Sequence, residues 1–168
     1  MNQSEKHNPL FTEWRTSSGN HSGKNFQVQH PIGWELFNLP TANIIVCQRE
    51  PNALVSFMFM SGLGSMEPWD LLRSTFQYNN ITKYEIISSE PIKEVNGVLG
   101  ISYRILEGDA TLIYQGKECH SHFIVNISGG MSLAISWGGS IIWEQSPINE
   151  WEIYQPILRQ IADSFLLT

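Results

Sequence analysis

Residues 119–137 read CHSHFIVNISGGMSLAISW. Phe123, Val125 and Ile127 alternate with His120, His122 and Asn126, and Met131, Leu133, Ile135 and Trp137 alternate with Ser132, Ala134 and Ser136. A period of two is that of a strand with one buried face. Gly129-Gly130 between the two runs reads as a tight turn, and strands joined by a two-residue turn are antiparallel neighbours. The same alternation runs through Leu99, Ile101, Tyr103 and Ile105, with Gly100, Ser102 and Arg104 between them. If the three runs are neighbours, their odd positions pack a core. Their even positions then form a shallow polar face carrying Arg104, His120 and His122.

More strands are expected on either side of this unit. Phe26, Val28 and His30 alternate with glutamines and end at Pro31. Asn43–Gln48 and Ala53–Met60 are joined by the turn REPN at 49–52, and the second is apolar on both faces, as a central strand is. Tyr84–Ser89, Ile92–Val95, Leu99–Glu107, Thr111–Lys117 and Cys119–Ser128 follow, with turns expected at Asn96-Gly97 and Gly108-Asp109. Trp69, Leu72 and Phe76 change the period to that of a helix, expected over about 66–79 with Ser65 as cap and Pro68 in the first turn. Trp151, Tyr154, Leu158, Ile161 and Phe165 form a second helical stripe. Either the helix starts at Pro156, or it reaches back to about residue 149 with Pro156 inside; the length of the stripe favours the latter. The expected order is β-β-β-α-β-β-β-β-β-α, an α+β fold with helices on both sides of an antiparallel sheet.

The length of 168 residues suits one domain. Residues 1–24, ending TSSGNHSGK, are expected as a flexible arm, with 25–168 as the domain. Lys and Arg are scattered and the net charge is −6, so no nucleic-acid partner is expected, because phosphate binding needs concentrated cations. No segment approaches the roughly 20 apolar residues of a membrane span. The stretch MNQSEKHNPLFTEW at 1–14 resembles no signal peptide, so a cytoplasmic protein is expected, the alternative being an exported one whose leader is absent from this chain. Cys47 and Cys119 lie in apolar segments and read as buried thiols; their spacing leaves open whether they pair.

Catalytic signatures fail on inspection. GNHSGKN at 19–25 is one residue short of a phosphate loop and has Asn25 where a hydroxyl would hold magnesium. SGLGS and WGGS lack the G-x-S-x-G elbow. His120 and His122 point to one side of a strand and could share a metal, given a further ligand from a neighbouring strand. Ile142 and Trp143 sit in GGSIIWEQSPI at 138–148, read as a loop whose apolar tip marks a partner site.

Residues 31–34, Pro-Ile-Gly-Trp at the end of a strand, resemble the opening motif of the PsbP-like superfamily, which includes Ran-binding Mog proteins, DcrB proteins and chaperones of type six secretion effectors. The closing EWEIYQPILRQIADSF at 150–165 is similar to the last helix of that superfamily. The resemblance implies a helix-covered antiparallel sheet and a non-catalytic accessory role, without a cofactor and with another protein as partner. A domain binding a small molecule or metal on the His120/His122 face is the alternative. Within the motif, Gly33 suits a conformation closed to other residues, so that Trp34 folds back over the core.

Overall fold

The computed structural model describes residues 13–63, 66–97, 101–130 and 138–168. Five strands come first: β1 (Trp14–His21), β2 (Lys24–Pro31), β3 (Glu35–Leu39), β4 (Ile44–Glu50) and β5 (Ala53–Ser61). Helix α1 (Pro68–Tyr78) leads to β6 (Tyr84–Ser89), β7 (Lys93–Asn96), β8 (Ile101–Tyr114), β9 (Lys117–Gly130) and β10 (Gly138–Pro147). Helix α2 (Trp151–Ser164) and the short β11 (Leu166–Leu167) close the chain. All paired strands are antiparallel, in one sheet ordered β3-β4-β5-β10-β9-β8-β6, with β7 also on β8, and a small sheet ordered β1-β2-β11. The expected α+β class holds.

The large sheet is buried on both faces. On one side Val55, Phe57, Ile45 and Cys47 pack with Tyr154, Ile157, Leu158 and Ile161 of α2 and with Phe26 and Val28 of β2. On the other, Phe123, Val125, Ile127, Ile141 and Trp143 pack with Leu71, Leu72 and Phe76 of α1. Helix α1 lies mainly against β8 and β9, with Phe76 also reaching Trp143 of β10. Pro156 lies inside α2, exposed, on the side away from the Tyr154–Ile161 stripe. Gly33 takes a positive φ of 92°, and Trp34 turns back to bury against Tyr154 with ring centroids 6.2 Å apart.

Several expectations are corrected. From Trp14 onward the expected arm is a strand: Ser22 and Gly23 both have positive φ and make the tight turn that lets His21 pair with Lys24. Gly108-Asp109 is no turn but the middle of β8, where β6 crosses with Ser89 opposite Gly108. A Cβ there would strike the Ser88 carbonyl oxygen and lie 2.8 Å from the Phe123 ring, so this glycine serves close approach. The real turn is Gln115-Gly116, both with positive φ, between Tyr114 and its partner Lys117. Asn96 pairs with Ser102 and the Gly97 N–H donates to the Ile101 carbonyl oxygen, so Asn96-Gly97 is not a two-residue turn. Gly129 still pairs with Ser102 and is not a turn either. The loop read at 138–148 is β10, a central strand between β5 and β9. Helix α1 is capped by Glu67 in extended conformation and starts at Pro68; Ser65, Leu99, Gly100 and Met131–Trp137 lie outside the described residues.

Gly108→Ala is expected to cost about 1–3 kcal/mol by overpacking the β6–β8–β9 contact, read from urea unfolding. An unchanged midpoint would contradict that contact. Cys47 and Cys119 are free and belong to opposite cores, and burial pushes their thiols up to about 12 and about 11. Both should therefore resist a thiol reagent at neutral pH in the folded protein and react once it is denatured. Labelling of either under native conditions would contradict the two-core arrangement.

Candidate functional site

Register decides which side chains meet. Between β8 and β9, odd positions pair with even ones: Arg104 with Ile127, Asp109 with His122, Thr111 with His120. Between β9 and β10 parity is kept, so Glu144 stands opposite His122. Paired residues share a face. Arg104 therefore lies on the α1 side, where its guanidinium donates to Glu67 Oε1 at 2.5 Å and to the Met66 carbonyl oxygen at 3.1 Å. His120 and His122 lie on the α2 side. Trp143 is in the α1-side core, and Ile142 packs at the edge of the α2-side core. The sheet thus separates Arg104 from the His120 and His122 expected beside it, and Trp143 from Ile142.

The α2 side holds a cluster of alternating charge. His120 Nε2 is 2.9 Å from Asp109 Oδ1, and the ring stacks on Trp151 with centroids 4.0 Å apart. His122 Nδ1 is 3.3 Å from Asp109 Oδ1, and its Nε2 is 3.0 Å from Glu107 Oε1. Only an imidazolium donates at both nitrogens, so the charged form satisfies both contacts. Arg159 of α2 bridges Glu107 at 3.8 Å and Glu144 at 3.3 Å. Asp109 feels burial, which raises its pKa, yet the hydrogen bonds and charges of His120 and His122 outweigh it and hold the carboxyl below its ordinary value. Glu144 is fully buried and its oxygens accept no hydrogen bond; Arg159 is near enough for an ion pair but not aligned for a bond. Burial pushes Glu144 up to about 7; Arg159 opposes the rise, and Asp163, Asp109 and Glu107 add to it.

This face is covered by the protein's own helix, and the histidine nitrogens bound to carboxylates are turned away from any outside ligand. Among the described residues, no group of three or more His, Cys, Asp or Glu side chains is arranged to hold a metal ion.

The α1 side is different. Between the C-terminal end of α1 and strands β3, β4 and β5 lies an open cleft of about 150 Å³, lined by Leu39, Val46, Leu54, Met58, Ile81 and Trp143, among others, and floored by Gln145. Leu39, opposite Ile44, lines the cleft and is 46% exposed; Phe37, opposite Val46 on the same face, is 39% exposed, and Tyr78 at the end of α1 is 77% exposed. The polar groups of the helix end are engaged by the helix itself: Thr75 Oγ1 donates to the Leu71 carbonyl oxygen and Asn79 Nδ2 to that of Thr75. Gln145 is nearly fully buried; its Oε1 accepts from Trp143 Nε1 at 3.0 Å and Ser121 Oγ at 3.2 Å, while Nε2 has no partner.

Glu107, Asp109, Glu144 and Gln145 escaped the sequence reading. One signal was present: Glu107 and Asp109 have the same i, i+2 spacing as His120 and His122, the pattern of two facing strand rows of opposite charge. Nothing in the local sequence marked Glu144 and Gln145, because a polar pair reads as surface unless its strand is known to be central.

No protein-family model matches the chain, and no curated protein matches it. Among solved structures it is similar to PsbP (CyanoP) from Synechocystis sp. PCC 6803, with 14% identity, 94% of each chain covered and a TM-score of 0.49. It is similar to LpqN, involved in cell envelope biogenesis of Mycobacterium tuberculosis, with 13% identity, 93% of this chain and 92% of that one covered, and a TM-score of 0.46. It is also similar to the Ran-binding protein Mog1p of Saccharomyces cerevisiae, with 8% identity, 92% and 95% covered, and a TM-score of 0.47. Identities and scores this low say nothing of what the chain binds. No helix among the described residues is long and apolar enough to cross a membrane.

The raised Glu144 carboxyl sets a pH dependence. A folded-state pKa above the unfolded one adds stability that is fully present at low pH and is lost as pH rises from the ordinary value of 4.5 through about 7. The full loss is about 3 kcal/mol. Wild-type protein should therefore lose stability to urea between about pH 5 and pH 7.5, and Glu144→Gln should flatten that fall. Parallel pH profiles for the two would show that Glu144 does not titrate in this window.

Proposed function

We propose that the protein is a non-catalytic accessory module that binds another protein, through the apolar strip along the α1-side face of β3, β4 and β5. One observation carries this reading: Leu39 in the lining of the cleft, Phe37 on the same sheet face opposite Val46, and Tyr78 at the end of α1 are large apolar side chains that stay exposed. Apolar side chains gathered round a concave surface are the usual core of a protein interface, where water is expelled and a few large residues anchor the partner. Arg104, His120 and His122 take no part in it: the first is tied to the start of α1 and the others to the α2 cluster. Trp143 supports the cleft from below. The fitting partner surface is an uncharged, apolar segment, since no charged side chain lines the cleft.

The test compares affinity purification of the wild type with that of a Phe37→Ser/Leu39→Ser double variant from the native cell. A specific partner should be recovered with the wild type and reduced roughly tenfold or more with the variant. The melting temperature should stay close to that of the wild type, because both residues are exposed. Equal recovery of that partner by both would remove this strip from the interface.

A further inference from the structure

The bottom of the cleft differs chemically from its rim. The lining is uncharged and mostly apolar, with Ser56, Thr75, Asn79 and Tyr114 as further polar members beside Gln145, whose amide donor has no partner. The identity of that donor follows from its neighbours. Trp143 Nε1 carries a hydrogen and cannot accept, so the Gln145 atom 3.0 Å from it must be the carbonyl oxygen. The Ser121 hydroxyl donates to the same oxygen. Turning the amide over would set nitrogen against the indole N–H, so the amide orientation is determined. Gln145 Nε2 is thus held in place at the cleft with its N–H groups unpaired, although the side chain is nearly inaccessible to water. Buried amide donors in folded proteins almost always have a partner.

We propose that this cleft is a binding site for a small, neutral, single-ring molecule bearing a carbonyl oxygen, with the ring among Val46, Leu54, Met58 and Trp143 and the oxygen accepting from Gln145 Nε2. The volume of about 150 Å³ is that of a cavity that takes a benzene ring. The absence of charge on the lining disfavours carboxylates and amines, whose desolvation nothing there would offset. Mostly apolar walls with a few placed polar groups are the usual build of a small-molecule site. The site goes beyond the protein-binding role and does not depend on it.

The probes are acetophenone, which has ring and carbonyl, and ethylbenzene, which has nearly the same shape and no acceptor. Binding is followed by ¹H–¹⁵N spectra of the full chain. Acetophenone should saturate the site and shift the Gln145 side-chain amide signals, and ethylbenzene should bind at least tenfold more weakly without moving them. Val46→Phe fills the cleft and should abolish both effects. Gln145→Leu should bring the two affinities together; if that variant fails to fold, the wild-type comparison and Val46→Phe decide. Equal binding of the probes by the wild type, absence of binding by acetophenone at its solubility limit, or undiminished binding by Val46→Phe would each overturn the proposal. These readouts involve no partner protein, so they stand or fall apart from the Phe37→Ser/Leu39→Ser test.

Discussion

The pairing of β8 with β9, odd residue against even, is the constraint from which the rest of the arrangement follows. It places Leu106, Ala110 and Leu112 on the same side as Phe123, Val125 and Ile127, so that one face closes over α1. By the same step Glu107 and Asp109 come beside His120 and His122 on the other face, where α2 lies. A shift of one residue would send every side chain of β8 to the opposite face, setting carboxylates against α1 and apolar groups against the histidines. The two-residue turn at Gln115-Gly116 holds that register, since a loop of that length allows one alignment of its strands.

Much of the fold was legible before any coordinates. Period-two alternation revealed β2 and β9, short apolar runs bounded by turn residues revealed β4, β5 and β6, period 3.6 revealed both helices, and Gly33-Trp34 behaves as its composition suggests. What failed was turn assignment. Gly108-Asp109 has the composition of a tight turn, but the glycine is there because a neighbouring strand passes within contact of its Cα. Cutting β8 at that point hid its length of 14 residues and with it the parity relation to β9. Without that relation Arg104 was set among the histidines, from which the whole sheet separates it.

Strand β10 was lost for a related reason. Its centre reads Ile141-Ile142-Trp143-Glu144-Gln145-Ser146, and all but Ile142 are buried, including three polar residues in succession. A strand inside a sheet covered on both faces has no solvated side, so its polar residues need partners from one layer or the other. Composition cannot distinguish such a strand from a loop.

The two faces meet this burden by different means, ion pairs on one and neutral hydrogen bonds on the other, and each leaves part of it unmet. Toward α2, His122 lies within ion-pair reach of Glu107 and Asp109, and Arg159 within reach of Glu107 and Glu144, whose own oxygens accept no hydrogen bond. Toward α1, Gln145 meets a surface from which the helix has ended, and half of its amide goes unanswered. The histidines draw attention in the sequence because they are chemically versatile, yet in the fold their versatility is used up by neighbouring carboxylates. A glutamine with no such reputation is left with a fixed, unused donor in an apolar recess. Where a buried polar group has no internal partner, the fold retains a cost that an external ligand can relieve.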